Sequence, residues 1–143
     1  MMLMRDGVEG LMNIFEPMLV IEQALLPNLE TLKALEPLIY AANAGASRAH
    51  FEHLLAPEFW EVGASGKRYS RTFVLNTLEQ RQQNPVEEVW HATDYHLQRI
   101  VEQHFLLTYT LHQPTRISQR ASLWWQTEMG WKLLYHQGTV VQG

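Results

Sequence analysis

Arg120-Ala-Ser-Leu-Trp-Trp-Gln-Thr-Glu-Met-Gly-Trp-Lys-Leu-Leu-Tyr-His-Gln-Gly-Thr139 is the stretch that decides the fold. Two runs of aromatic and β-prone residues flank Glu128-Met129-Gly130, the makings of a hairpin with a glycine-bearing turn. Working backwards, the same texture fills two more segments, giving strands at about 89–101, 104–112, 119–127 and 131–140. Glu102-Gln103 and Gln113-Pro114-Thr115 are short enough to be hairpin connections, so the four strands are expected to pair antiparallel.

Ahead of the strands the period changes from two to nearly four. Leu11, Ile14, Phe15, Met18, Ile21 and Leu25 predict a helix over 8–26, kinked by Pro17 and ended by Pro27. Asn28 then caps a second helix carrying Leu29, Leu32, Leu35, Leu38 and Ile39, with Pro37 as an interruption, an end near Ala44 and a stop at Gly45. Ser47 caps a third, 48–55, with Phe51, Leu54 and Leu55 turned inward and Pro57 closing it. A short strand at 59–62, the Gly63-Ala-Ser-Gly66 turn and a return strand at 67–69 follow. Ser70 caps a last helix from Arg71 to about Gln83, left at Asn84-Pro85. Helices beside a run of antiparallel strands make an α+β domain, and a sheet curling around them leaves a cone with an open end.

Composition narrows the function classes. A chain of 143 residues, 46% apolar and 18% charged, is long enough for one domain with a real core. Net charge is −4 and no basic block occurs, which argues against nucleic acid as a partner. The absence of cysteine excludes disulfides, thiolate metal sites and cysteine nucleophiles. Asp6, Glu9, Glu16 and Glu22 interrupt the apolar N-terminal stretch, so a soluble cytoplasmic protein with no membrane partner is expected.

Several motifs carry a family resemblance. Leu54-Leu-Ala-Pro-Glu-Phe59, Glu61-Val-Gly-Ala-Ser-Gly66, Thr108-Tyr109, Arg120-Ala-Ser-Leu-Trp124 and Trp131-Lys-Leu-Leu-Tyr-His136-Gln-Gly-Thr139 resemble the nuclear transport factor 2-like superfamily. Within it, the domain-of-unknown-function 4440 (SnoaL-like) family is most similar. The resemblance spans roughly 32–139. It implies a cone-shaped α+β fold, with N-terminal helices packed on a curved, mainly antiparallel sheet, and a homodimer through that sheet. It divides the chain into a helical arm, 1–30, and a fold domain, 31–143. Superfamily activities range from isomerases and dehydratases to binding and structural domains, so the fold alone does not name one.

The candidate chemistry is sparse. Gly63-Ala-Ser-Gly-Lys67 is no phosphate loop, because Glu61 and Arg68 stand where Gly and Ser/Thr are required. His50 and His53 lack convergent partners, so no metal is expected, and no cofactor motif occurs. His136, in an aromatic strand, is the candidate acid–base group or ligand-orienting residue, with Glu61 and Asp94 as carboxylate candidates. Tyr109 alternates inward with Phe105, Leu107 and Leu111. Trp60 and Tyr69 are candidate rim aromatics. Arg120, Ser122 and Trp124 share one strand face and Ala121, Leu123 and Trp125 the other. Hydrophobic alternation turns the second set inward; the alternative places Arg120 in the cone as an anchor for a carboxylate. The leading expectation is a dimeric domain binding a small, mostly apolar molecule. An isomerase, dehydratase or cyclase using His136 is the alternative, and a module with a filled cone the third.

Overall fold

The computed structural model describes residues 15–41 and 45–142. The first part of the helix expected over 8–26, including Leu11 and Ile14, and the expected helix end near Ala44 lie outside them. Residues 17–22 carry no helix, and a single 3₁₀ turn, Gln23–Leu25, precedes α1 (Leu26–Leu35). Phe15, Met18, Leu19 and Val20 are exposed, so helix formation there would bury no apolar stripe, and burial is what holds short helices. Pro27 does not end a helix. It sits in the first turn of α1, where its missing N–H costs nothing, and Asn28 is already inside that helix.

Glu36 follows α1 with helical backbone, and Pro37 opens α2 (Pro37–Tyr40). Ser47 caps α3 (Arg48–Leu54) by accepting from the His50 amide at 3.2 Å, and Ser70 caps α4 (Arg71–Gln83) through the Phe73 amide at 3.1 Å. Between them run β1 (Leu55–Val62) and the short β2 (Arg68–Ser70). Pro57 lies within β1, in the segment where the register with its neighbour shifts, which is where a strand tolerates a residue without a donor. β3 (His91–Val101), β4 (His104–His112), β5 (Ile117–Thr127) and β6 (Gly130–Val140) complete the chain.

The six strands lie in the order β2-β1-β6-β5-β4-β3. The β1–β6 pair is parallel and the others antiparallel, so the sheet is mixed and open. The register shifts at Thr93/His96 and Leu123/Trp124, irregularities of the kind that bend a strand and increase its twist. Leu25, Leu29 and Leu32 from the helical side meet Phe51, Phe105, Leu107, Leu111, Trp124 and Leu133 in one core.

Register determines the site. Directly opposed residues share a face, so Tyr109, Arg120 and Gly138 form one inward row. The next row is Leu107, Ser122, His136 and Glu61, and below it lie Phe105, Trp124 and Leu133. The Arg120 set therefore faces the helices. Ala121, Leu123 and Trp125 turn to the outer face, against simple hydrophobic alternation.

Candidate functional site

A carboxylate holds the base of the cone. Glu36 is completely buried and accepts from Tyr109 Oη–H at 2.6 Å, Ser122 Oγ–H at 2.8 Å and Trp124 Nε1–H at 2.9 Å. These bonds explain the inward face of β5: its polar groups are buried because a buried acceptor meets them. Burial raises the Glu36 pKa above the ordinary carboxylate range, while its three donors pull the other way.

His136 continues the network. Its Nδ1 lies 2.7 Å from Ser122 Oγ, and its Nε2 lies 3.3 Å from Arg120 Nη1. A guanidinium only donates, so Nε2 must accept and the ring proton belongs on Nδ1. That proton goes to Ser122 Oγ, leaving the serine hydroxyl hydrogen for Glu36. The result is a one-way chain: Arg120 to His136 to Ser122 to Glu36. Burial first, then the charges of Arg120 and Arg81, push the His136 pKa down to about 3, so the ring is neutral. Its 3.5 Å approach to Glu36 is accordingly no ion pair.

Above this floor opens a cavity of about 430 Å³. Ile39, Phe73, Val74, Leu78 and Leu111 supply apolar wall, and Glu61, Arg81, Arg116, Arg120 and His136 supply polar groups. The Arg120 side chain donates from Nε to Ser118 Oγ at 2.9 Å and lies flat over Gly138, where any Cβ would come within 3.0 Å of its Cζ and Nε. Arg81 reaches in from α4, anchored by one bond from Nη1 to the Ile39 carbonyl at 3.0 Å. Arg116, exposed at the rim, donates to Gln113. Burial raises the Glu61 pKa, opposed by Arg81 and Arg120, and it lowers the pKa of both arginines.

The candidates from sequence thus divide. Glu61, Tyr69, Arg120 and His136 meet at the cavity. Tyr109, Ser122 and Trp124 sit beneath it on Glu36. Trp60 pairs with Tyr135 and turns to the outer face, their rings 4.8 Å apart. Asp94 is exposed at the β3 irregularity with φ of 56°, its carboxylate accepting from Thr93. Sequence reading passed over Glu36, Arg81 and Arg116. Glu36 had a signal: it is four residues beyond Leu32 and seven beyond Leu29, a charge on an apolar stripe. Among the described residues no cluster of three or more His, Cys, Asp or Glu side chains could hold a metal. No helix among them is long and apolar enough to cross a membrane.

No protein-family model and no curated protein matches this sequence. Solved structures do. A proposed dehydratase of the nuclear transport factor 2-like family from Streptomyces avermitilis superposes with a TM-score of 0.64 at 17% identity, over 82% of this chain and 99% of that one. A nuclear transport factor 2-like protein of unknown function in nutrient uptake from Rhodospirillum rubrum gives 0.59 at 16%, over 77% and 94%. A nuclear transport factor 2-like protein from Cytophaga hutchinsonii gives 0.59 at 13%, over 85% and 100%. The chain has the nuclear transport factor 2-like fold, an α+β cone carrying a buried polar cluster beneath a cavity with apolar and charged walls.

Proposed function

We propose that this protein is a dimeric domain that binds a small, mostly apolar molecule in its cone. One observation carries the reading: the cavity of about 430 Å³ sets an apolar side (Ile39, Phe73, Val74, Leu78 and Leu111) against convergent polar groups, the pattern of a small-molecule site. The dimer rests on the outer sheet face, where Leu106, Leu123, Trp125 and Tyr135 are only half-covered. A cytoplasmic location and kinship with the domain-of-unknown-function 4440 family belong to the same reading.

The test combines calorimetry with a fragment panel of neutral and charged aromatic and aliphatic compounds. Saturable binding is expected, and Thr77→Phe, which places bulk against the cavity, should abolish it. Binding that survives Thr77→Phe, or no binding by any fragment, overturns the reading. Sedimentation should show a dimer that Leu123→Glu converts to monomer.

Glu61 favours a second reading, an isomerase, dehydratase or cyclase. It is the carboxylate on the cavity wall, with a pKa held up by burial, beside His136 in the register. The depressed basicity of His136 leaves the ring an orienting role and makes Glu61 the candidate proton-transfer group. In that case Glu61→Gln should abolish turnover and leave fragment affinity intact.

A further inference from the structure

Five arginines stand on α3, α4, β5 and the β4–β5 connection, and they are held in two ways. Arg71 donates to three backbone carbonyls, those of Glu52, Leu55 and Ala56, and Arg48 to the carboxylates of Glu52 and Glu79. Each makes three hydrogen bonds that hold α3 and α4 in place. Arg81, Arg116 and Arg120 differ. Each is tethered through one or two nitrogens, and no acceptor among the described residues takes the remaining N–H groups. No described carboxylate lies within 4.0 Å of any of the three, and all three line the same cavity.

The charge balance there opposes that of the whole molecule. The chain carries a net −4, yet its cavity holds three guanidinium groups against the single carboxylate of Glu61, with His136 neutral. Arg116 makes the charged state of both Arg81 and Arg120 harder to hold, so the three fields overlap. Cations gathered in a partly buried space with too few counter-charges are costly, and an incoming anion relieves that cost. Arg120 is also preorganised. Ser118, His136 and the bare backbone of Gly138 fix its plane before anything binds.

We propose that the ligand is a small organic acid, its carboxylate held by Arg120 with Arg81 and Arg116. Its apolar body lies against Phe73, Val74 and Leu78. The inference rests on the reading of the cone as a small-molecule site and adds the ligand's charge. A guanidinium fork matches carboxylate and phosphate alike, but the apolar wall requires a body that inorganic phosphate lacks.

The full-length protein is titrated by calorimetry with benzoate, phenylacetate and hexanoate, each beside its neutral carboxamide, and with inorganic phosphate. The acids should bind at least about tenfold more tightly than their amides, and more tightly than phosphate. Arg120→Gln should weaken the acids roughly 30-fold or more and the amides by a much smaller factor. Arg116→Gln, at the exposed rim, should weaken them by a smaller factor and keeps the test open if Arg120→Gln misfolds. Amides binding as well as acids would overturn the organic-acid assignment and leave the cavity a binding site. Phosphate matching the acids would overturn the role of the apolar body. Failure of acids and amides together would overturn both the assignment and the reading beneath it.

Discussion

Acidifying the protein should destabilise it through one imidazole. His136 is 2% exposed, with Ser122 Oγ on one nitrogen and Arg120 Nη1 on the other. Its pKa falls from the ordinary 6.5 to about 3 in the fold. A base with a depressed folded pKa leaves the unfolded chain holding the extra proton between those two values. Its contribution to stability is complete above about pH 6.5 and is lost as pH falls, at about 1.4 kcal/mol per unit. Moving from about pH 7 to about pH 4.5 should therefore remove roughly 2–3 kcal/mol. Glu36 and Glu61 act in the opposite sense: their raised pKa values let the folded state hold protons more tightly, so their contribution falls as pH rises above 4.5. A variant comparison separates the terms. His136→Gln keeps an acceptor for Arg120 and does not titrate. Urea unfolding followed by tryptophan fluorescence at the two pH values should show wild type losing roughly 2–3 kcal/mol more than the variant. Equal losses would refute the argument, as would an imidazole resonance of His136 titrating near 6.5.

Glu36→Leu leaves the donors of Tyr109, Ser122 and Trp124 buried without an acceptor. At about 1–3 kcal/mol each, reduced by the relief of a buried charge, the cost should be about 3–6 kcal/mol by urea unfolding. Glu36→Gln should cost only about 1–2 kcal/mol, since its carbonyl still serves the indole and both hydroxyls can rotate to accept. A Leu variant as stable as the Gln variant would show that the carboxylate does not hold the floor. Gly138→Ala places a methyl 3.0 Å from Arg120 Cζ and should shift the guanidinium. Phenylacetate affinity should drop about tenfold while stability changes by only about 1 kcal/mol. Unchanged affinity would remove Gly138 as the bed for Arg120.

What the sequence discloses depends on whether the deciding interaction is local. Ser47 and Ser70 are legible as caps because the amide each serves is three residues away. The strands and Tyr109's inward turn follow from alternation, which the pleat imposes on every strand. The fold resemblance carried by the Arg120–Thr139 hairpin agrees with the superposed structures for the same reason. The failures are non-local. Helix at 17–22 needed a surface to bury against, and alternation on β5 misreads its buried face because Glu36, 86 residues from Ser122 and 88 from Trp124, supplies the acceptor. Arg81 and Arg116 look like ordinary surface charges until α4 and the β4–β5 connection bring them over one cavity. A buried polar cluster is a property of the assembled layers, so one-dimensional period finds its members only as exceptions.

The direction of the hydrogen-bond chain links fold and site. Arg120 can donate to His136 only while Nε2 is unprotonated, and that requires the neutral ring with its proton directed at Ser122. Protonating His136 would set two donors against each other at 3.3 Å and release Arg120 from one of its two tethers. Loss of acid-side stability and loss of the arginine's fixed geometry are thus one event seen from the two ends of the chain. An anion on Arg120 acts at both ends: the ligand stabilises the folded state by mass action, and its negative charge offsets the cationic field that contributes to the depression of His136, so the ring is easier to protonate. Bound organic acid should therefore raise stability at neutral pH and lift the His136 pKa from its depressed value. That pairing of shifts distinguishes a ligand seated against Arg120 from one held elsewhere on the molecule.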